Sequence, residues 1–400
     1  MAKITGTSGN DLLEGTVLDD VLNGLASDDV LVGFEGLDTL VGAKGNDQLF
    51  GDQALVKDYA WEDPTAIING DDDTLKGGQD DDLLVGDGIA HVESSNPEGG
   101  AGYAEINGGD DTLRGGTGND TMYGDGLVSA IGSSAGCQIF GGDDRLYAGT
   151  GDDIMFGDGI ATISGQHGPV TNLRGGDDYL HGGAGNDIMY GDGIAEATLD
   201  GHADLYGGND RMNGGDGDDV MYGDGIVNEI GPRADGRLFA GDDILNGGNG
   251  NDIIFGDGHV SPGGSNQFEG GNDMIRGGNG DDILYGDAAT DLAVNALSTA
   301  GADLFLFDAA DGADIIMDFR FAFSEFNPNP DLIDLTATGL TWADLDSDGS
   351  GLLDAGDDHI AVIGADTVID LGDAVGTGAG VNTVTVAGVT DLQLTDFIFA

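Results

Sequence analysis

Large apolar residues recur every nine positions near the start of the chain, at Leu13, Leu22, Leu31, Leu40 and Leu49, with polar and small residues between them. One large apolar position in nine is too sparse for an amphipathic helix and too widely spaced for a long alternating strand. It fits a strand of about three residues whose central side chain points inward, followed by a turn of about six. Glycine marks the turns at Gly6, Gly15, Gly24, Gly33, Gly42 and Gly51, and Asp11, Asp20, Asp29, Asp38 and Asp47 lie five residues into each unit. Two such units close one coil of a parallel β-roll, so turns on the same edge recur every 18 residues.

After Gly51 the spacing lengthens. A Gly-Asp pair follows a strand at 51, 86, 124, 157, 191, 223, 256 and 286, so each long coil has about 33 residues. Aligning the coils leaves one edge short, with a regular turn ending in Asp82, Asp120, Asp153, Asp187, Asp219, Asp252 or Asp282. The long edge begins at the Gly-Asp pair and returns through a turn ending in Asp73, Asp111, Asp144, Asp178, Asp210, Asp243 or Asp273. Most long turns hold two alternating apolar stretches, such as Ile160-Ala161-Thr162-Ile163 and Val170-Thr171-Asn172-Leu173. These predict an extended arm that stacks on the arms of neighbouring coils; the alternative is a set of surface loops. From about residue 300 glycine thins out and apolar runs appear, including Leu304-Phe305-Leu306-Phe307, Asp314-Ile315-Ile316-Met317 and Asn382-Thr383-Val384-Thr385-Val386. The expected fold is all-β: a parallel β-roll or β-solenoid of nonapeptide repeats with long inserts on one edge, followed by a β-rich C-terminal domain. Its expected divisions are an N-terminal roll at 1–56, a long-coil solenoid at 57–290 and the terminal domain at 291–400.

Composition narrows the chemistry. The 400 residues carry 75 acidic and 12 basic side chains, a net charge of -63, and 77 are glycine. So much glycine excludes a helical globule, since each Gly in a helix interior costs about 1 kcal/mol against Ala. Among the acids, 65 are Asp and 10 are Glu. Asp is the shorter carboxylate, suited to turns and to oxygen-ligand metal sites. Such a charge repels nucleic acid and anionic lipid and leaves cations, divalent metal first, as the natural partners. No apolar run is long enough to insert into a membrane, and the single Cys137 permits no intrachain disulfide. The opening Met1-Ala2-Lys3-Ile4-Thr5-Gly6 lacks the apolar stretch of a cleaved signal peptide, so the chain is expected to be cytosolic or to leave by another route.

The repeat reads G-G-x-G-x-D-x-U-x with U large and apolar, as in Gly182-Gly183-Ala184-Gly185-Asn186-Asp187-Ile188-Met189-Tyr190. It resembles the RTX, or hemolysin-type, calcium-binding repeat over residues 6 to about 287. The closing segment, with Asp366-Thr367-Val368-Ile369-Asp370-Leu371-Gly372 and Leu394-Thr395-Asp396-Phe397-Ile398-Phe399-Ala400, looks like the end of RTX proteins and of the serralysin-type C-terminal region. The resemblance implies several bound Ca2+ ions, each shared between backbone carbonyls and Asp carboxylates of adjacent turns on one edge. It also implies secretion by the type I machinery to an extracellular or cell-surface location. The turn aspartates named above are the expected ligands. A separate stretch, Asp346-Ser347-Asp348-Gly349-Ser350-Gly351-Leu352-Leu353-Asp354-Ala355-Gly356-Asp357, fits the EF-hand calcium loop, with candidate ligands Asp346, Asp348, Ser350, Asp354 and Asp357. It departs from that pattern at the last position, where Asp replaces the usual bidentate Glu. A brief helix entering the loop is expected at 341–345, with none leaving it.

Catalytic patterns are weak by comparison. No H-E-x-x-H occurs, and His91, His167, His181, His202, His259 and His359 lack zinc-ligand spacing. Gly132-Ser133-Ser134-Ala135-Gly136 spells G-x-S-x-G but lies in a Gly/Ser-rich insert, and Cys137 beside it reads as a small buried thiol. No catalytic residue is assigned. The expected function is a secreted calcium-binding protein, non-catalytic, structural or adhesive, with cell-surface or matrix polysaccharide as the candidate partner. The alternative is an enzyme or accessory module acting on extracellular polysaccharide. One further pattern stands out: the residue before each Gly-Asp pair is Phe50, Val85, Tyr123, Phe156, Tyr190, Tyr222, Phe255 or Tyr285. These rings form either an exposed binding rank or, the favoured reading, a second core buried under the arms with Ile160, Ile163, Ile194 and Ile226.

Overall fold

A computed structural model describes residues 1–59, 64–94, 102–132, 134–165, 168–230, 235–261, 266–287, 298–320 and 330–400. Ser133, His167 and the 290/291 junction lie outside them. The architecture is a parallel β-solenoid. Thirteen- and fourteen-stranded sheets form the two walls of a roll, and two seven-stranded sheets run alongside as a second, narrower stack. One coil shows the path. Arg145–Thr150 lies in the first wall and Ile154–Phe156 in the second; Gly159–Gly165 and Val170–Arg174 lie in the two arm sheets, and the chain re-enters the first wall at Tyr179–Ala184. Over the described residues the long turns are therefore paired strand arms rather than loops.

Register explains why the nine-residue pattern is so strict. On the second wall Leu31 pairs with Leu49, Leu49 with Leu84, Leu84 with Met122 and Met122 with Met155. On the first wall Leu22 pairs with Leu40 and Leu40 with Leu75. The second of those steps crosses from the 18-residue coils to the long ones without a slip. A slip by one residue would turn each central side chain out to solvent. These positions are fully buried and form one apolar file between the walls. Each such side chain contributes roughly 2 kcal/mol of burial.

The arms have a separate core. Ala90, Val128, Ala161, Ala195, Val227 and Val260 stack on one arm sheet, and Ile68, Ile106, Ile139, Leu173, Leu205 and Leu238 stack on the other. These side chains form one buried apolar cluster shared by the two arm sheets. Cys137 is buried in this core beside Thr171, and burial pushes its thiol up to about 12.

The aromatic rank corrects the sequence reading in one respect. Ile163 belongs to the arm core, not to a cover over the rings. The rings instead stack on each other along the roll, with centroids 4.9 Å apart for Tyr123 and Phe156, 4.8 Å for Phe156 and Tyr190, 5.0 Å for Tyr190 and Tyr222, and 4.8 Å for Tyr222 and Phe255. The strand repeat of about 4.8 Å sets this distance, so neighbouring rings are brought face to face by the backbone. Phe156 and Phe255 are buried and the tyrosines half-buried, with the Tyr190 phenol pushed to about 12 by burial.

Near the C-terminus the two walls continue. Leu304–Leu306, Leu332–Asp334 and Phe397–Ile398 extend the first, while Ala313–Ile316 and Thr383–Val386 extend the second. Asp366–Asp370 and Ile360–Ile363 then add antiparallel to the second wall. The apolar file runs unbroken from Leu13 to Phe397. Among the described residues no helix is long and apolar enough to cross a membrane.

Replacing Tyr190 by Ala removes two stacking partners at once. It should destabilise the calcium-loaded protein by about 2 kcal/mol, at about 1 kcal/mol per stacked pair. Denaturant unfolding in saturating calcium measures this, and an unchanged midpoint would show that the ring ladder is not structural.

Candidate metal centre

The short-edge turn Gly182–Asp187 shows how the sequence builds an oxygen-lined niche. Gly183 and Gly185 have φ of 112° and 137°, a backbone state that side-chain-bearing residues rarely adopt. Gly182 is required for another reason: a Cβ there would collide with Asp187 Oδ2 and with the carbonyl oxygen of Gly214 in the next coil. A carboxylate and a carbonyl from adjacent coils thus converge beside a position kept empty by glycine.

Each turn aspartate divides its two oxygens between two tasks. Oδ1 accepts the backbone N–H of the equivalent aspartate one coil earlier: Asp153 N donates to Asp187 at 2.9 Å, Asp187 N to Asp219 at 2.8 Å and Asp219 N to Asp252 at 2.8 Å. The long edge repeats the pattern, with Asp144 N to Asp178 at 2.6 Å and Asp178 N to Asp210 at 2.7 Å. Oδ2 is left buried with no protein partner at Asp29, Asp38, Asp47 and every later turn aspartate predicted as a ligand, from Asp73 and Asp82 to Asp273 and Asp282. Asp303 continues the series and was missed in the sequence, because Ala302 breaks the Gly-Asp-Asp or Gly-Asn-Asp return that marks the other long turns.

Asp11 and Asp20 differ. Their Oδ2 atoms accept from Thr7 Oγ1 at 2.9 Å and Thr16 Oγ1 at 2.8 Å, so the structure places them in the ladder without an orphaned oxygen. Threonine stands there where the short-edge turns of the long coils have their second glycine, as at Gly183.

A buried anionic oxygen without a partner is expensive, so the group must be neutralised by a proton or a cation. Burial lifts Asp187 to about 7 and Asp153 to about 6, and it raises Asp144 and Asp178 on the long edge well above the usual carboxylate range. Among the described residues, three carboxylate oxygens come within 4.8 Å of one another only at Asp346, Asp348 and Asp357. Ladder ions would therefore take their remaining ligands from backbone carbonyls, as an oxygen-seeking ion of six to eight ligands can.

A second feature of the long edge was used in the sequence only as a ruler. The aspartate of each Gly-Asp pair, including Asp87, Asp125, Asp158, Asp192, Asp224 and Asp257, is fully buried where roll and arm meet. The signal that could have found it is its own strict recurrence.

The EF-hand-like loop follows a helix at Trp342–Leu345 and leads into the strand Ile360–Ile363 with no exiting helix. Gly351 has φ of 88°, as the sixth loop position requires. Asp346, Asp348 and Asp357 converge, and Trp342 Nε1 donates to Asp346 Oδ2 at 2.9 Å. Ser350 Oγ is turned to the Leu352 carbonyl at 3.0 Å, and Asp354 Oδ1 accepts from Gly356 N at 2.6 Å. Those two predicted ligands are thus engaged within the loop.

The repeats found in the fold coincide with a known family. The RTX calcium-binding nonapeptide repeat (4 copies) matches the chain at residues 5–33, 14–49, 68–88, 106–126, 140–159, 174–193, 206–225, 239–259 and 269–293. The chain is an RTX calcium-binding repeat protein, and Ca2+ is the ion its nonapeptides bind. No curated protein matches it as a relative.

The niche at Gly182 gives a direct test. Gly182→Ala should destabilise the calcium-loaded form by about 2 kcal/mol through overpacking, whereas Ala184→Gly, in the same turn, should change it little. Thermal unfolding at saturating calcium compares the two; equal effects would remove the reason assigned to Gly182.

Proposed function

We propose that this protein is a secreted, non-catalytic calcium-binding scaffold, structural or adhesive, whose folding and calcium binding are a single equilibrium. The ladder aspartates, with neighbouring backbone carbonyls, hold the ions. The observation that carries this reading is the repeated buried Oδ2 with no protein partner on both edges of the roll. Each is a buried acceptor without a protein donor, and its repetition in coil after coil from Asp29 onward makes a local packing accident an inadequate explanation.

The surrounding features support a scaffold. Both cores are long continuous files, one in the roll and one in the arms. Ser134 of the G-x-S-x-G sequence lies exposed in the turn between Gly126–Ile131 and Gly136–Phe140, two arm strands, rather than on the strand-to-helix elbow that activates such a serine. RTX proteins are typically extracellular. Surface or matrix polysaccharide is the partner class proposed, reached after export by a type I system that reads the C-terminal region.

Calcium removal tests the central claim. In excess chelator, circular dichroism should show loss of most of the β signal, and added calcium should restore it. A β signal unchanged in chelator would sink the coupling. For export, deleting residues 341–400 should leave the chain inside cells that carry a matching transporter; undiminished secretion would refute that assignment.

A further inference from the structure

We infer that a file of divalent cations runs inside the waist between roll and arm, one per coil, held jointly by the Gly-Asp carboxylates and the long-edge turn aspartates, and that it is the slowest-exchanging calcium in the protein. This rests on the ladder reading above and extends it to a new set of residues.

The waist is where the chain leaves the second wall for the arm and where it returns to the first wall. At the exit stands a Gly-Asp aspartate and at the return a turn aspartate, as with Asp158 and Asp178 in one coil or Asp192 and Asp210 in the next. The Gly-Asp carboxylate reaches across the waist. Asp158 Oδ1 accepts from Gly176 N at 3.2 Å, Asp192 Oδ1 from Gly208 N at 3.0 Å and Asp224 Oδ1 from Gly241 N at 2.8 Å. Its Oδ2 is left buried with no partner, and so is Oδ2 of the turn aspartate opposite.

Both side chains of such a pair are closed to solvent: Asp158 is 0% exposed and Asp178 3%. Their burial and mutual repulsion act in the same direction, against two adjacent negative charges. Two carboxylates per coil carry a charge that one divalent ion balances. Only oxygen is offered, and the carbonyl of Gly191 comes in beside Gly157 together with Asp178 Oδ2, which suits a hard cation. Glycine is again obligatory, since a Cβ at Gly141, Gly175 or Gly207 would strike the Gly-Asp carboxylate of the following coil.

The short edge differs in ligand charge. Each coil contributes one buried turn carboxylate there, Asp153, Asp187 or Asp219, where the waist has two. More ligand charge holds an ion more tightly and so slows its loss.

The rival arrangement is a chain of protonated carboxyls sharing hydrogen bonds down the waist, and calcium counting separates the two. The waist variant is Asp158→Asn, Asp192→Asn and Asp224→Asn together, in which Asn can still accept the Gly N–H at Oδ1. The edge variant is Asp153→Asn, Asp187→Asn and Asp219→Asn. Bound calcium is counted in the purified full-length proteins by atomic spectroscopy, and release is followed after mixing with a fluorescent chelator. The wild type should release calcium in two phases about tenfold or more apart in rate. The waist variant should lose about three ions, all from the slow phase, and the edge variant should lose ions from the fast phase only. If the waist variant keeps its full count and its slow phase while the edge variant loses ions, the waist holds protons and the inference is overturned, with the ladder reading intact. If neither variant loses ions, the ladder reading fails as well. Should the triple waist variant not fold in calcium, Asp158→Asn alone is counted; one fewer slow ion supports the file, and an unchanged count rejects it.

Discussion

Every coil of this solenoid stacks a carboxylate on the carboxylate of the coil before it, at the strand repeat of about 4.8 Å. At an effective dielectric of about 20, two unit charges that close repel by on the order of 3 kcal/mol. Each interior aspartate has such a neighbour on both sides, and the ladders run nearly the length of the molecule. Hydrogen bonding relieves only half of each group, because Oδ1 is tied to a backbone N–H and Oδ2 is not. The edges of the roll thus oppose its formation while their aspartates are charged and unmatched, which is the physical basis of the proposed coupling between calcium and folding.

Apolar contacts resist this repulsion without removing it. A coil of the roll contributes two large core residues, one per wall, and the rest of it is glycine-rich turn with a high ordering entropy. The arms add a second apolar file, and the ring ladder adds face-to-face stacking on the outside of the second wall. Those additions occur only in the long coils. The first 50 residues lack them and also contain strained turns, with Leu25, Ser27, Phe34 and Ala43 at positive φ. The short coils are therefore the weaker end of the solenoid, held by leucine stacking and by the neighbouring coil.

The far end is closed in a different way. Asp331 accepts the backbone N–H of Asp303 at 3.1 Å and also that of Arg320, whose guanidinium pairs with Asp391 and Asp396. Asp318 accepts from Gly286 N at 2.8 Å and Asp287 N at 3.1 Å, ending the Gly-Asp series with both oxygens occupied. The long-edge and Gly-Asp series thus terminate on protein donors rather than on open acceptors. Two antiparallel strands finish the second wall, where another parallel coil would have required another turn site.

The nine-residue period, the turn aspartates and the apolar file were legible in the chain, because a strand of three and a turn of six leave one inward side chain and one carboxylate per unit. The two alternating stretches in the long turns were legible as arms for the same reason of period. Three things needed the tertiary structure. The Gly-Asp aspartates, although strictly periodic, became candidate ligands only when the chain's exit and return were brought side by side at the waist. The tyrosine and phenylalanine rank could be read as core or as surface until the register set the rings face to face at the strand repeat. Asp11 and Asp20 carry the same motif letter as Asp29, yet Thr7 and Thr16 satisfy the oxygen that later turns leave bare. In each case the residue type and spacing were local facts, whereas the partner of a given oxygen or ring was decided by which coil, junction or side chain the fold placed against it.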